Sequence, residues 1–225
     1  MKIKLLTVTA IAMALVFALT ACQSTDVIGN VSRTSFEALT NKISDKVTMD
    51  EQYNSWAIKS PGGERFLLSK DMAGTPDAAI EFDATPFINA GLDTTKLSTE
   101  IYSYDITSNK LKIAAELGSP KTAAKADAKV TDSFAQLVDT NREAIGYHAK
   151  LDHYGVALGN GNMFEWAKDL STNDKDMVFV LNPQPLIDAG VNPAKVTDWV
   201  FTKVPVMDEN NKEIEVDKFL KPYSL

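Results

Sequence analysis

Apolar positions over residues 34–117 first recur at helical spacing and then alternate. Phe36, Leu39, Ile43 and Val47 fall on one helical face. Thr34-x-x-Glu37 ahead of them suits a capping box. Beyond the helix, Ser55–Lys59 and Glu64–Ser69 read as strands around a Pro61-Gly62-Gly63 turn. Ala78–Phe82 reads as a third strand. Pro86, with Thr85 ahead of it as a cap, starts a short helix that Gly91 stops. Ile101–Ile106 alternates again, Thr107–Asn109 turns the chain, and Leu111 and Ile113 continue it as a hairpin.

The same succession then recurs. Ser35-Phe36-x-x-Leu39 matches Ser133-Phe134-x-x-Leu137, Trp56-Ala-Ile58 matches Tyr154-Gly-Val156, and Phe66 to Asp71 matches Phe164 to Asp169, all at an offset of 98. Pro86-Phe-Ile88-Asn-Ala90-Gly91 then matches Pro185-Leu-Ile187-Asp-Ala189-Gly190 at an offset of 99. In the second copy Asp132 is placed to cap a helix with Phe134, Leu137, Val138 and Ile145 beneath it. Tyr154–Leu158 and Met163–Ala167 flank Gly159-Asn160-Gly161-Asn162, where Asn-Gly is a strong hairpin signal. Met177–Leu181 is continuously apolar, as a central strand should be. Val200–Val206 and Ile214–Val216 close the copy around Asp208–Asn211. Colinear matches of this length predict a tandem duplication with a period far longer than that of solenoid repeats. The expected fold is α+β: two units, 34–117 and 132–225, joined by a linker at 118–131, each a helix on a small antiparallel sheet with a short Pro-started helix.

Residues 1–21 follow neither pattern. Lys2 and Lys4 precede an apolar run from Leu5 to Leu19, broken only by Thr7 and Thr9, and small residues lead on to Cys22. The run is short for a bilayer-spanning helix, which needs about 20 residues, so a cleaved export signal is expected. Leu19-Thr20-Ala21-Cys22 resembles the lipobox of bacterial lipoproteins. The resemblance implies cleavage before Cys22, a diacylglycerol thioether on its sulfur and an acyl chain of the palmitate kind on the new amine. One chain binds a membrane only marginally, at about 0.8 kcal/mol per buried methylene, whereas three would hold stably. Gln23 stands where an aspartate in Gram-negative members favours inner-membrane retention. For such an organism the resemblance therefore implies the outer membrane, on its periplasmic or surface face. Residues 22–33, polar and without aromatics, are expected to be a flexible tether.

Composition narrows the function classes. Removing residues 1–21 leaves 204 of 225 and takes the formal charge from −7 to −9, a poor balance for binding nucleic acid. Cys22 is the single cysteine, so lipidation leaves no thiol for disulfides, metal or nucleophilic catalysis, and folding rests on packing. No P-loop, Gly-x-Ser-x-Gly, His-Glu-x-x-His or dinucleotide fingerprint occurs.

The remaining candidates read as structural. His148 and His153, the two histidines, would lie about 140° apart on a helix and so share no face. Their first-copy counterparts are Asp50 and Ser55. Lys70-Asp71 and Lys168-Asp169 recur where strands pass into turns, and neighbours on a strand point to opposite faces. Asp77 and Asp176 recur just before the third strand, as turn or cap residues. Asp83/Asn182 and Asn89/Asp188 do not keep their charge. Gly159–Asn162 lacks the following helix and the basic residue of a phosphate loop. The acidic stretch from Asp208 to Glu215 lacks the glycine of a calcium loop and reads as a hairpin tip. Tyr102, Tyr104, Trp166, Trp199 and Phe201 read as core aromatics. No catalytic residue, metal set or cofactor is expected. The sequence points to a membrane-anchored envelope lipoprotein, held through lipid on Cys22, with a non-catalytic binding or structural role towards an envelope protein, a glycan or a small ligand. The alternative is a lipid-anchored hydrolase using carboxylates.

Overall fold

The computed structural model describes residues 25–72, 76–119, 123–208, 210 and 212–225. Residues 1–21 and Cys22 lie outside them. The fold is α+β with two duplicated units, each containing a six-stranded antiparallel sheet. The first unit contains helix α1 (Thr25–Lys42) and strands β1 (Val47–Asp50), β2 (Ser55–Lys59), β3 (Arg65–Ser69) and β4 (Ala78–Asp83). The short helix α2 (Thr85–Asn89) and strands β5 (Tyr102–Asp105) and β6 (Lys110–Ala115) complete it. Its strand order is β1-β2-β3-β4-β6-β5. The second unit has α3 (Val130–Thr140), β7 (Ile145–His148), β8 (His153–Ala157), β9 (Met163–Ala167), β10 (Met177–Leu181), α4 (Gln184–Asp188), β11 (Val200–Met207) and β12 (Glu213–Tyr223). Its order, β11-β12-β10-β9-β8-β7, is the same arrangement read from the other edge.

Several local expectations need correction. The first helix begins at Thr25, nine residues before Thr34, so residues 25–33 are helix rather than tether. Ile28 and Ser32 are buried there against the rest of the fold, which draws the segment into the helix. Thr34 therefore does not cap; its hydroxyl donates to the Asn30 carbonyl one turn back. Val47 and Ile145 belong not to helices but to edge strands β1 and β7, which pair with β2 and β8. Asp132 sits inside the first turn of α3, and its carboxylate accepts the Lys129 N–H at 2.7 Å. For α2, Asp83 rather than Thr85 supplies the capping oxygen, accepting the Thr85 N–H at 2.8 Å.

The two units share one core. Equivalent residues meet each other: Phe36 stacks on Phe134 at 4.0 Å, and Phe66 on Phe164 at 4.3 Å. Asp93 N–H donates to the Ala189 carbonyl and Asn192 N–H to the Ala90 carbonyl, both at 2.9 Å. Such self-complementary contacts define an approximate two-fold axis within one chain.

The helices are exchanged across this axis. The first-unit helix α1 packs against β7 and β9 of the second sheet, while α3 packs against β3 of the first. The Trp166 indole N–H donates to Ser35 Oγ of α1 at 2.8 Å, and the Trp56 indole to Ser133 Oγ of α3 at 3.1 Å. Gly29 lets the helices close: a Cβ there would lie 3.3 Å from Val138 Cγ1. Neither unit is thus a helix on its own sheet alone.

Candidate functional site

Most of the recurrent polar residues hold the fold together. Asp77 is buried, and its carboxylate accepts the N–H groups of Leu117 and Ser119 at 2.8 and 3.3 Å. Asp176 does the same for Leu225 at 2.5 Å and also accepts from Lys42 at 3.2 Å. Each aspartate clamps the chain where it leaves the last strand of its unit. The carbonyl of Lys70 accepts from Ser133, and Asp169 closes a turn by accepting the Ser171 N–H at 2.8 Å. Asn182 Oδ1 accepts the Gln184 N–H at the start of α4. Residues 159–162 form a hairpin turn, with three successive positive φ values at Gly159, Asn160 and Gly161. Asp208 accepts from Asn210 and Lys212 in a tight tip. Tyr102, Trp166 and Trp199 are core, Tyr104 is half-buried with its hydroxyl on Asn109, and Phe201 is exposed.

One cluster has no such role. On a β-hairpin, unlike a helix, His148 and His153 are partners: they sit directly opposite each other in the β7–β8 register. Beside them on β9 lies Glu165, opposite Gly155. Glu165 Oε1 is 3.6 Å from His148 Nδ1, and Oε2 is 3.5 Å from His153 Nδ1. A Cβ at Gly155 would come within 3.1 Å of both Glu165 Cγ and Met163 Cε, so glycine there makes room for the acid. Glu165 is 3% exposed and His153 0%. Glu165 Oε2, both nitrogens of His153 and His148 Nε2 are buried without a hydrogen-bond partner. Buried polar groups of this kind are rare and call for a reason. Among the described residues no group of three or more His, Cys, Asp and Glu side chains is arranged to hold a metal ion.

The hairpin of β11 and β12 covers this cluster. Only Phe219–Tyr223 of β12 pair with β10, so residues 213–218 run on beyond the sheet at the end where β8 turns into β9. There Lys218 Nζ donates to the Gly161 carbonyl at 2.7 Å. Yet Glu213 meets Lys150 at 2.6 Å, and Lys150 lies in the β7–β8 turn at the opposite end. The overhang must therefore fold back across the outer face of the sheet. That explains why Met163, Glu165, Val178, Val180 and His153 are buried on a face that would otherwise meet water. The corresponding hairpin of the first unit, β5 and β6, has strands of only 4 and 6 residues, against 8 and 11.

Charge in the cluster is finely balanced. Burial pushes the Glu165 carboxyl up, but contacts with and charge on His148 and His153 outweigh it and hold the group below its ordinary range. Burial pushes the Lys218 ammonium down to about 8, against the opposing pull of Glu165. At the nearby turn, burial and the hydrogen bond to Asp152 push the Tyr147 hydroxyl up to about 12.

The first copy has diverged at each position. Asp50, Ser55 and Leu67 stand where the second has His148, His153 and Glu165. Its outer face carries Arg65 instead, in a two-pronged bond to Glu81 at 3.0 Å and a third to Asp50 at 2.7 Å. Glu165 and Lys218 were not singled out by sequence reasoning, and the histidines were set aside on helical geometry. The legible signal was a glutamate replacing a core leucine at a repeated position. Comparisons with family models, curated proteins and solved structures return no match.

Proposed function

We propose that this chain is a lipid-anchored envelope protein whose duplicated globular part binds a partner or serves a structural role without catalysis. The anchor is read from Leu19-Thr20-Ala21-Cys22, with Gln23 pointing to an outer membrane. Among the described residues no helix is long and apolar enough to cross a membrane. The observation that carries the non-catalytic reading is the use made of the shared acids: Asp77 and Asp176 are spent on backbone N–H groups within the fold. The carboxylate-hydrolase alternative has less support. The acids that converge on the first outer face, Asp50 and Glu81, are both engaged in ion pairs with Arg65.

The test is affinity capture from crosslinked cells with the wild-type chain and with Cys22→Ala. Recovery of one envelope protein, glycan or small ligand by both forms would place recognition in the globular units. Loss of membrane fractionation in Cys22→Ala alone would establish the lipid anchor. A Cys22→Ala chain that still fractionates with membranes would refute the anchor, and a hydrolase activity abolished by Glu165→Gln would refute the non-catalytic reading.

A further inference from the structure

We infer that the overhanging parts of strands β11 and β12, residues 202–207 and 213–217, are a proton-sensitive flap that lies down over Glu165 at neutral pH and lifts when both His148 and His153 take up protons. The inference does not rest on the binding role proposed above and would survive its failure.

The geometry carries it. Two groups that can be cationic converge on one carboxylate: His148 from β7 and His153 from β8 flank Glu165 of β9, while the buried Lys218 ammonium of β12 sits on the Gly161 carbonyl. The neighbouring strand β10 contributes only Val178 and Val180 to this face. On the flap, alternation puts Val204, Val206 and Val216 on the side of Lys218, and Lys203, Glu213, Glu215 and Asp217 on the other. At the adjoining turn Asp152 is engaged by Tyr147 and Lys168, and Lys150 by Glu213. Among the described residues no second anion therefore faces the histidines from any of these elements.

One carboxylate can balance one imidazolium. A second proton leaves an unbalanced charge beside Lys218 in a site closed to water, where charges are costly unless paired. Neither nitrogen of His153 has a hydrogen-bond partner and His148 Nε2 has none, so each proton added to these rings puts a further buried N–H in the site without an acceptor. Lifting the flap relieves both, because water then reaches the cluster. The movement is opposed by the burial of Met163, Val178 and Val180 and by the Lys218–Gly161 bond, and by little else. Among the described residues the flap has no strand partner beyond its own two strands, and the described side chains of 202–217 are exposed or half-buried. Its far end is tied by an exposed ion pair, Lys150–Glu213, of a kind that contributes little because solvent screens it.

Hydrogen exchange on the full folded chain tests this, with rates expressed as protection relative to the unfolded chain at the same pH. Between pH 8 and pH 5 the protection of amides in 202–207 and 213–217 should fall about tenfold or more while β2, β3 and β4 keep theirs. In His148→Gln/His153→Gln the fall should disappear. His148→Gln alone, on the edge strand, should remove most of it by leaving one imidazole for one carboxylate. Unchanged flap protection in the wild type would overturn the inference. So would an equal fall in the variants, or a fall shared by β2–β4, which would mean global unfolding.

Discussion

Gly91 offers the sharpest test of the internal two-fold. Its φ is +107, and an added Cβ would lie 2.8 Å from the Gly190 carbonyl oxygen; Gly190, at φ +105, makes the reciprocal approach to Gly91. Gly91→Ala therefore has two separable effects. Holding a non-glycine residue at such a φ costs about 1–3 kcal/mol. Relieving the clash must part the two units at the seam, straining the Asp93–Ala189 and Asn192–Ala90 backbone bonds, each worth about 0.5–1.5 kcal/mol. The expected total is about 2–6 kcal/mol. Gly63→Ala is the control: φ is +98, but nothing lies within 4 Å of the added Cβ, so only the first effect applies, about 1–3 kcal/mol. Urea unfolding followed by circular dichroism reads the difference as a shift in midpoint at constant slope. In Gly91→Ala/Gly190→Ala the losses should fall short of additive, because a seam already opened is not opened twice. Equal losses for Gly91→Ala and Gly63→Ala, or strict additivity in the double variant, would refute the seam as an energetic unit.

Three further outcomes are expected. Lys218 is held near 8 in the fold against 10.5 unperturbed, so its buried charge is a penalty at neutral pH that is relieved as pH rises through 8. Stability should therefore increase between pH 8 and 10 by at most about 3 kcal/mol, and Lys218→Met should flatten the rise in thermal melts. Ser35→Ala leaves the buried Trp166 indole N–H without its acceptor and should cost about 1–3 kcal/mol in denaturant unfolding. Asp77→Ala strips the acceptor from Leu117 and Ser119, and should cost a similar amount and raise hydrogen exchange at 117–119 before the β4 amides respond.

Much of the fold was legible because it was written twice. Strands β2, β9 and β10 begin and end where alternation and turn residues put them, and the Pro-started helices stop at Gly91 and Gly190 as expected. Edge strands β1 and β7 were missed because four residues beside a helix can extend its apolar face as easily as start a strand. Val47 and Ile145 fit both periods. The early start of α1 was missed for a related reason. Residues 25–33 are polar and mediocre helix formers, and they are helical because Ile28 and Ser32 meet the rest of the fold.

The sequence by itself determined the fold class, the duplication and the order of the elements other than edge strands β1 and β7, since hydrophobic period, caps and turns are local properties that act within a few residues. It also carries Leu19-Thr20-Ala21-Cys22, on which the proposed lipid anchor rests. Only the tertiary structure decided what depends on contacts between distant residues. It joined the copies through Phe36/Phe134 and Phe66/Phe164, exchanged their helices, and folded the long second hairpin back over the sheet. It also turned His148 and His153 from unrelated residues into the two arms around Glu165. Strand register brought them together, and register is fixed by the burial of a whole face rather than by any residue near the histidines.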